Sequence, residues 1–192
     1  MTSFSLLVIL LGWLCLGLEA GLRGVTSISI GPAQAAPSFV IPLAVFICIC
    51  AQPAPALWSA LALGAAVDIT WQRPAASEPI TVLGPNALGF LVAAQLILAV
   101  RGLVIRRNPL TAAALSVPAA AIVHIVVAAI LTARHLWDPA LVWQGTAQLG
   151  ADMLSAVLTF PAGLVLGVLL MPLAPALGMG GSPGRHSLRR SL

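Results

Sequence analysis

Six stretches of the chain carry almost nothing but apolar side chains: residues 4–20, 37–52, 54–69, 84–104, 111–132 and 147–172. Within each stretch the apolar residues are continuous and do not alternate. That pattern predicts helices and argues against the strands of a barrel. Polar residues, prolines and glycines mark the joints. In "AQPAPALW", Pro53 and Pro55 force a tight turn between the second and third runs, and Pro55 suits the first turn of the third helix, where its missing N–H would be unpaired anyway. The third run ends on an acid, "LGAAVD" (63–68), and the fourth opens on "GPNALGF" (84–90).

Composition sets the solvent for these helices. Of 192 residues 60% are hydrophobic and 7% charged, and the mean hydropathy is +1.06, whereas soluble domains carry about 25% charged residues. This much apolar surface predicts lipid as solvent. At ~20 apolar residues per span, the expectation is an all-α, polytopic integral membrane protein with about six transmembrane helices. Residues 1–177 form one membrane domain, and 178–192, "GMGGSPGRHSLRRSL", form a basic Gly/Ser-rich tail that reads as disordered and able to rest on anionic lipid. The first run could pass for a signal peptide, but no Lys or Arg precedes it and "LEA" matches a cleavage site only loosely, so it reads as an uncleaved span.

The basic residues give the orientation. All nine are arginines. Arg101, Arg106, Arg107, Arg185, Arg189 and Arg190 fall on one side of a six-span arrangement; Arg23, Arg73 and Arg134, offset by Glu78 and Asp138, fall on the other. Positive residues stay inside, so both termini are expected in the cytoplasm, with Trp71, Trp137 and Trp143 at the outer interface. The pI near 10.3 does not indicate nucleic acid, because no basic face carries interleaved aromatics. Cys15, Cys48 and Cys50 lie inside apolar runs and read as small hydrophobes.

Each of the five acids therefore matters. Glu78 and Asp138 sit in loops. Glu19, Asp68 and Asp152 sit at or inside span ends, where an ionised group is costly, and the orientation above brings all three to one depth at the outer face. One reading makes them line a small cavity for a cation or substrate. For Asp68 a structural reading is stronger. Ala56, Ala60, Gly64 and Asp68 are spaced by four and form one small-residue stripe, along which a neighbouring helix can approach closely. Asp68 at the end of its own helix opposes that helix's dipole. The free N–H groups at the start of the fourth helix would welcome it, with Asn86 as a further donor. An aspartyl-protease pair of Asp68 and Asp152 would need a shared proton, and "VD" and "GAD" lack the glycine-framed setting of such enzymes. With no Ser/His frame, phosphate loop or metal-ligand cluster, the sequence predicts no catalysis, no cofactor and no metal. His124, mid-way along the fifth run, reads as a neutral hydrogen-bonded histidine or a proton relay, Gln95 and Gln148 as interhelical hydrogen-bonders, and Pro161 as a kink.

The segment from 38 to 107 resembles the rod shape-determining MreD family. The resemblance is carried by Trp58 after a proline-rich approach, by "ALALGAAVDI", and by "LGPNALGFLVAAQLILAVR": a glycine-x-x-x-aspartate at a helix end (Gly64, Asp68), then a leucine–glycine pair opening the next helix (Leu83, Gly84), then Ala87 and Leu88. Two departures stand out: a longer loop after the aspartate, and Pro85 at a variable position of the pattern. The resemblance implies a non-enzymatic scaffold of the cell-wall elongation machinery in the bacterial cytoplasmic membrane, partnering MreC and, through it, MreB, RodA and a penicillin-binding transpeptidase. That family in turn resembles the substrate-binding membrane subunits of energy-coupling-factor vitamin transporters, which implies a second role, capture of a small molecule. Few polar residues are on hand to read a ligand, which favours the scaffold.

Overall fold

The computed structural model describes residues 2–30, 33–72, 80–103, 108–138 and 145–174. The six apolar runs become six helices: α1 (Thr2–Thr26), α2 (Val40–Cys50), α3 (Pro53–Thr70), α4 (Pro85–Val100), α5 (Pro109–His135) and α6 (Gly145–Leu170). By length and composition three of them can cross a membrane: α1 from Phe4, α5 and α6. Of the six spans expected from the sequence, three meet that measure. With 11 residues, α2 reaches only ~16 Å against a ~30 Å hydrocarbon core, and α4 has 16 residues.

The helices α3, α4, α5 and α6 each pack on the next, and α2 stands among them, touching α1, α3, α4, α5 and α6. Its sequence explains the position. "VIPLAVFICIC" has no charged side chain and, apart from its two cysteine thiols, none that is polar, and a helix apolar all round belongs inside. Ten consecutive residues, Val40 to Ile49, are buried. By contrast α1 packs chiefly on α2 and α3 and exposes Leu6, Leu10, Trp13 and Leu14.

A two-stranded antiparallel hairpin joins α1 to α2, β1 (Ile28–Ile30) with β2 (Ala33–Ala35), so the chain is not wholly α. The alternation Ser27-Ile28-Ser29-Ile30 carries a strand period, but over so few residues that it is overshadowed by the adjoining apolar runs. Ala33 and Ala35 are buried against Ala151 of α6; side chains this small let a strand lie close on a helix. The Ser155 and Thr159 hydroxyls accept from the Ala36 and Ser38 N–H groups at 3.0 and 3.1 Å, tying the strand's exit to α6.

Prolines stand where helices begin. Pro53, Pro85 and Pro109 are the first residues of α3, α4 and α5, where a missing N–H is harmless. Pro161 lies inside α6, and Pro118 inside α5, each within one continuous helix.

The short central helix is held by opposite charges at its two ends. Glu19 of α1 meets its N-terminus, where Phe39 and Val40 N–H donate to the carboxylate. At the other end Arg101, which follows α4, donates from Nη1 to the carbonyls of Ala51 at 3.0 Å and Cys48 at 3.5 Å. Anion at the start and cation at the end is the arrangement that a helix dipole favours. Arg101, one of the loop arginines by sequence, thus also serves as a cap for a different helix. Arg101→Gln is expected to lower stability by about 1–2 kcal/mol, read as a lower thermal midpoint in detergent. An unchanged midpoint would remove the dipole argument.

Candidate functional site

Two neighbouring features occupy the end of the bundle where α1, α3 and α5 finish and α2, α4 and α6 begin. The first is the joint between α3 and α4. Asp68 is 3% exposed and both its oxygens are engaged: Oδ2 accepts from Gly84 N at 2.8 Å and Ala87 N at 3.2 Å, and Oδ1 accepts from Asn86 N at 3.1 Å and Asn86 Nδ2 at 2.8 Å. A helix start leaves its first N–H groups without partners. In α4 those belong to Gly84, Asn86 and Ala87, since Pro85 has none, and all three go to Asp68. The Leu88 N–H returns to the Gly84 carbonyl at 2.9 Å. One carboxylate on another helix therefore satisfies the whole start of α4.

Glycines make the approach possible. Gly84, the residue capping α4, has φ +122°, a conformation that side chains disfavour. A Cβ on Gly64 would lie 2.6 Å from the Asn86 carbonyl oxygen and 2.7 Å from Ala87 Cα. Backbone touches backbone at that point, and Asp68 one turn later meets the start of α4. Ala56 and Ala60, on the same stripe, are buried. Leu83 stands apart from the joint, 65% exposed.

The second feature is a cavity of about 200 Å³. Glu19 and Arg23 reach it from α1, Trp71 and Gln72 from the end of α3, and Asn86 and Phe90 from α4. His124 of α5 and Gln148 and Asp152 of α6 face them, with Gln34 of β2 and Ser38 closing one side. Ile41, Val67, Val123 and Val127 supply apolar wall. The three acids expected to share one cavity are thus divided. Glu19 and Asp152 line it, while Asp68 is enclosed in the joint because α4 takes up its whole hydrogen-bonding capacity.

Glu19 acts on α2 much as Asp68 acts on α4. Its Oε2 accepts from Ser38 Oγ at 2.9 Å, Phe39 N at 3.0 Å and Val40 N at 3.5 Å. It does not end its helix, since α1 continues to Thr26 and carries Arg23 one turn further on. The Arg23 guanidinium lies 4.1 Å from the centre of the Trp71 ring, a cation–π contact linking α1 to the end of α3. Asp152 accepts from Gln148 Nε2 at 3.0 Å, and its Oδ2 stands 3.9 Å from His124 Nδ1.

Both glutamines differ from the sequence reading. Gln148 bonds within its own helix, to a residue four positions on. Gln95 is exposed on α4, pointing away from the bundle with Leu88, Val92 and Leu96. Gln95→Leu is accordingly expected to leave folded yield and thermal midpoint within about 0.5 kcal/mol of the parent; a larger loss would reveal a hidden intramolecular bond. Of the aromatic belt, Trp71 is half-buried beneath Arg23 and Trp137 is 85% exposed. Trp143, Arg73, Glu78, Arg106, Arg107 and the tail with Arg185, Arg189 and Arg190 lie outside the described residues.

The sequence reading placed Arg23 on this side only as a loop arginine, and did not find it, Ser38, Ser155 or Thr159 as parts of the site. Only Arg23 carried a signal, its place one helical turn after Glu19. The hydroxyls are single polar residues: Ser38 meets Glu19 of another helix, and Ser155 and Thr159 accept from backbone N–H groups more than a hundred positions away. Compared with known proteins, the chain matches no family model, no curated protein and no solved structure.

Proposed function

We propose that the chain is a non-enzymatic, polytopic membrane scaffold. More specifically, we propose an MreD-like component of the cell-wall elongation machinery, partnering an MreC-like protein and through it MreB, RodA and a penicillin-binding transpeptidase. The observation that carries the reading is the joint. The glycine and aspartate of the resembled pattern act on one place, Gly64 by close contact and Asp68 by hydrogen bonds, and the glycine opening the next helix is its capping residue. Pro85, a departure from that pattern, is accommodated as the first residue of α4. In this reading the chain crosses the bacterial cytoplasmic membrane six times with both termini inside. The short α2 and α4 are sheltered by longer neighbours, and the joint and cavity face outward.

Affinity purification of the full chain in mild detergent tests the proposal. Co-elution of an MreC-like protein is the expected result. Co-elution of an ATPase pair in its place would overturn it in favour of the second reading, a substrate-binding subunit of an energy-coupling-factor transporter. The cavity favours that second reading: polar residues that are scarce along the chain are gathered around one space.

A further inference from the structure

Glu19 and Arg23 stand one turn apart on α1, at the spacing where opposite charges on a helix ordinarily pair. Here they do not. Glu19 leans on α2, where its Oε2 accepts from Ser38 and from the Phe39 and Val40 N–H groups, and its Oε1 accepts nothing among the described residues. Arg23 lies instead over the Trp71 ring, 4.1 Å from its centre. A guanidinium stacked by its face keeps its N–H groups at its edge, and among the described residues these meet no acceptor. Both residues line the cavity. Opposite charges thus reach one space from one helix, ~6 Å apart along its axis, without neutralising each other directly. Further donors adjoin them: the Trp71 Nε1 is buried and donates to nothing, and Gln34 brings an amide from β2. Asp152, across the cavity on α6, is already matched, with Oδ1 accepting from Gln148 and Oδ2 standing 3.9 Å from His124 Nδ1.

We infer that the cavity binds a small α-amino acid with an apolar side chain, as its zwitterion. The ligand's carboxylate accepts from the edge of Arg23, and its ammonium donates to Glu19 Oε1, so one molecule closes the gap between the two charges. A ligand with a single charge cannot do this: an anion leaves Glu19 without a donor, and a cation leaves Arg23 without an acceptor. Depth along the helices places the third group. Arg23 lies beyond Glu19 toward the end of α1, Trp71 lies beyond Val67 at the end of α3, and Asn86 stands nearer the start of α4 than Phe90. The charged groups therefore hold the rim, and Ile41, Val67, Phe90 and Val123 form an apolar floor for an alkyl side chain. Size agrees: a cavity of ~150 Å³ admits benzene and drug-sized sites run to ~300–1,000 Å³, so about 200 Å³ suits a single amino acid and excludes a peptide. The inference goes beyond the scaffold reading. It names a substrate class for the capture reading and rests on that reading only for a biological role.

The test uses the purified full-length protein in detergent at neutral pH with leucine and two analogues that each lack one of its charges, 3-methylbutan-1-amine and 4-methylpentanoate. Calorimetric titration and thermal shift give the readout. The expected result is saturable binding of leucine, with each analogue at least about tenfold weaker. Arg23→Gln leaves the Glu19 cap on α2 in place and is expected to remove most of leucine's advantage over the amine. A merely structural role for Arg23 would weaken both ligands together. Absence of leucine binding to the folded parent would overturn the inference, as would either analogue binding as tightly as leucine. So would an Arg23→Gln protein in which leucine keeps its advantage. Should Arg23→Gln fail to fold, the three-ligand comparison on the parent decides alone. Failure of the capture reading is seen separately, as absence of an ATPase pair in affinity purification, and leaves the leucine result standing.

Discussion

Asp68→Ala is expected to remove most of the folded protein from the membrane fraction, at a cost of about 3–5 kcal/mol, as for a buried charged network that loses one partner. The substitution deletes a charge and also leaves the Gly84, Asn86 and Ala87 N–H groups and the Asn86 amide facing a void. Buried donors without acceptors are the expensive part of such a change. Asp68→Asn should fall between, because it keeps one acceptor oxygen and turns an NH₂ toward groups that are themselves donors. Detergent-solubilised monodisperse yield and thermal midpoint are the measurements. Normal values for Asp68→Ala, accompanied by loss of cellular function, would show that the acid serves a ligand or partner and not the joint.

Gly64→Leu is expected to be at least as damaging. The first added carbon already lies 2.6 Å from the Asn86 carbonyl oxygen and 2.7 Å from Ala87 Cα. Both atoms are backbone at a capped helix start, so neither can swing aside. Gly64→Ala alone should cost about 1–3 kcal/mol by overpacking, and the longer side chain must push α4 away. The two predictions are coupled. Once α4 has moved, Asp68 no longer meets its N–H groups, so Asp68→Ala should cost less in a Gly64→Ala background than in the parent. Strict additivity in that double-mutant cycle would mean that glycine and aspartate act independently.

Much of the joint was legible because its parts follow one another along the chain. A stripe repeating every four residues fixes one helix face, an acid at the helix end needs a positive partner, and the next helix begins 16 residues later at the same end. The cavity was legible only as three acids at one depth, and that reading merged two sites. Depth along a span says which end of the bundle a residue occupies. It does not say whether the residue's oxygens are already taken, and for Asp68 they are. The glutamines show the same limit: a polar residue in an apolar run must either find a partner or be exposed. Gln148 found its partner one turn along its own helix, and Gln95 faces outward.

By itself the sequence determined that the chain is mainly helical, that its helices are apolar enough to suit lipid, and where each helix begins. These are local properties, set by continuous apolar runs and by prolines and glycines that act through the backbone of their own residue. Only the tertiary structure decided that α2 stands in the middle between Glu19 and Arg101, that Ile28–Ile30 pairs with Ala33–Ala35 and the latter strand lies on α6, and that Glu19 and Asp152 share a space from which Asp68 is shut out. Each of these depends on helix ends meeting across long separations in sequence. Hydrogen-bond capacity and dipole charge are shared out there by geometry, and residue spacing carries no record of it.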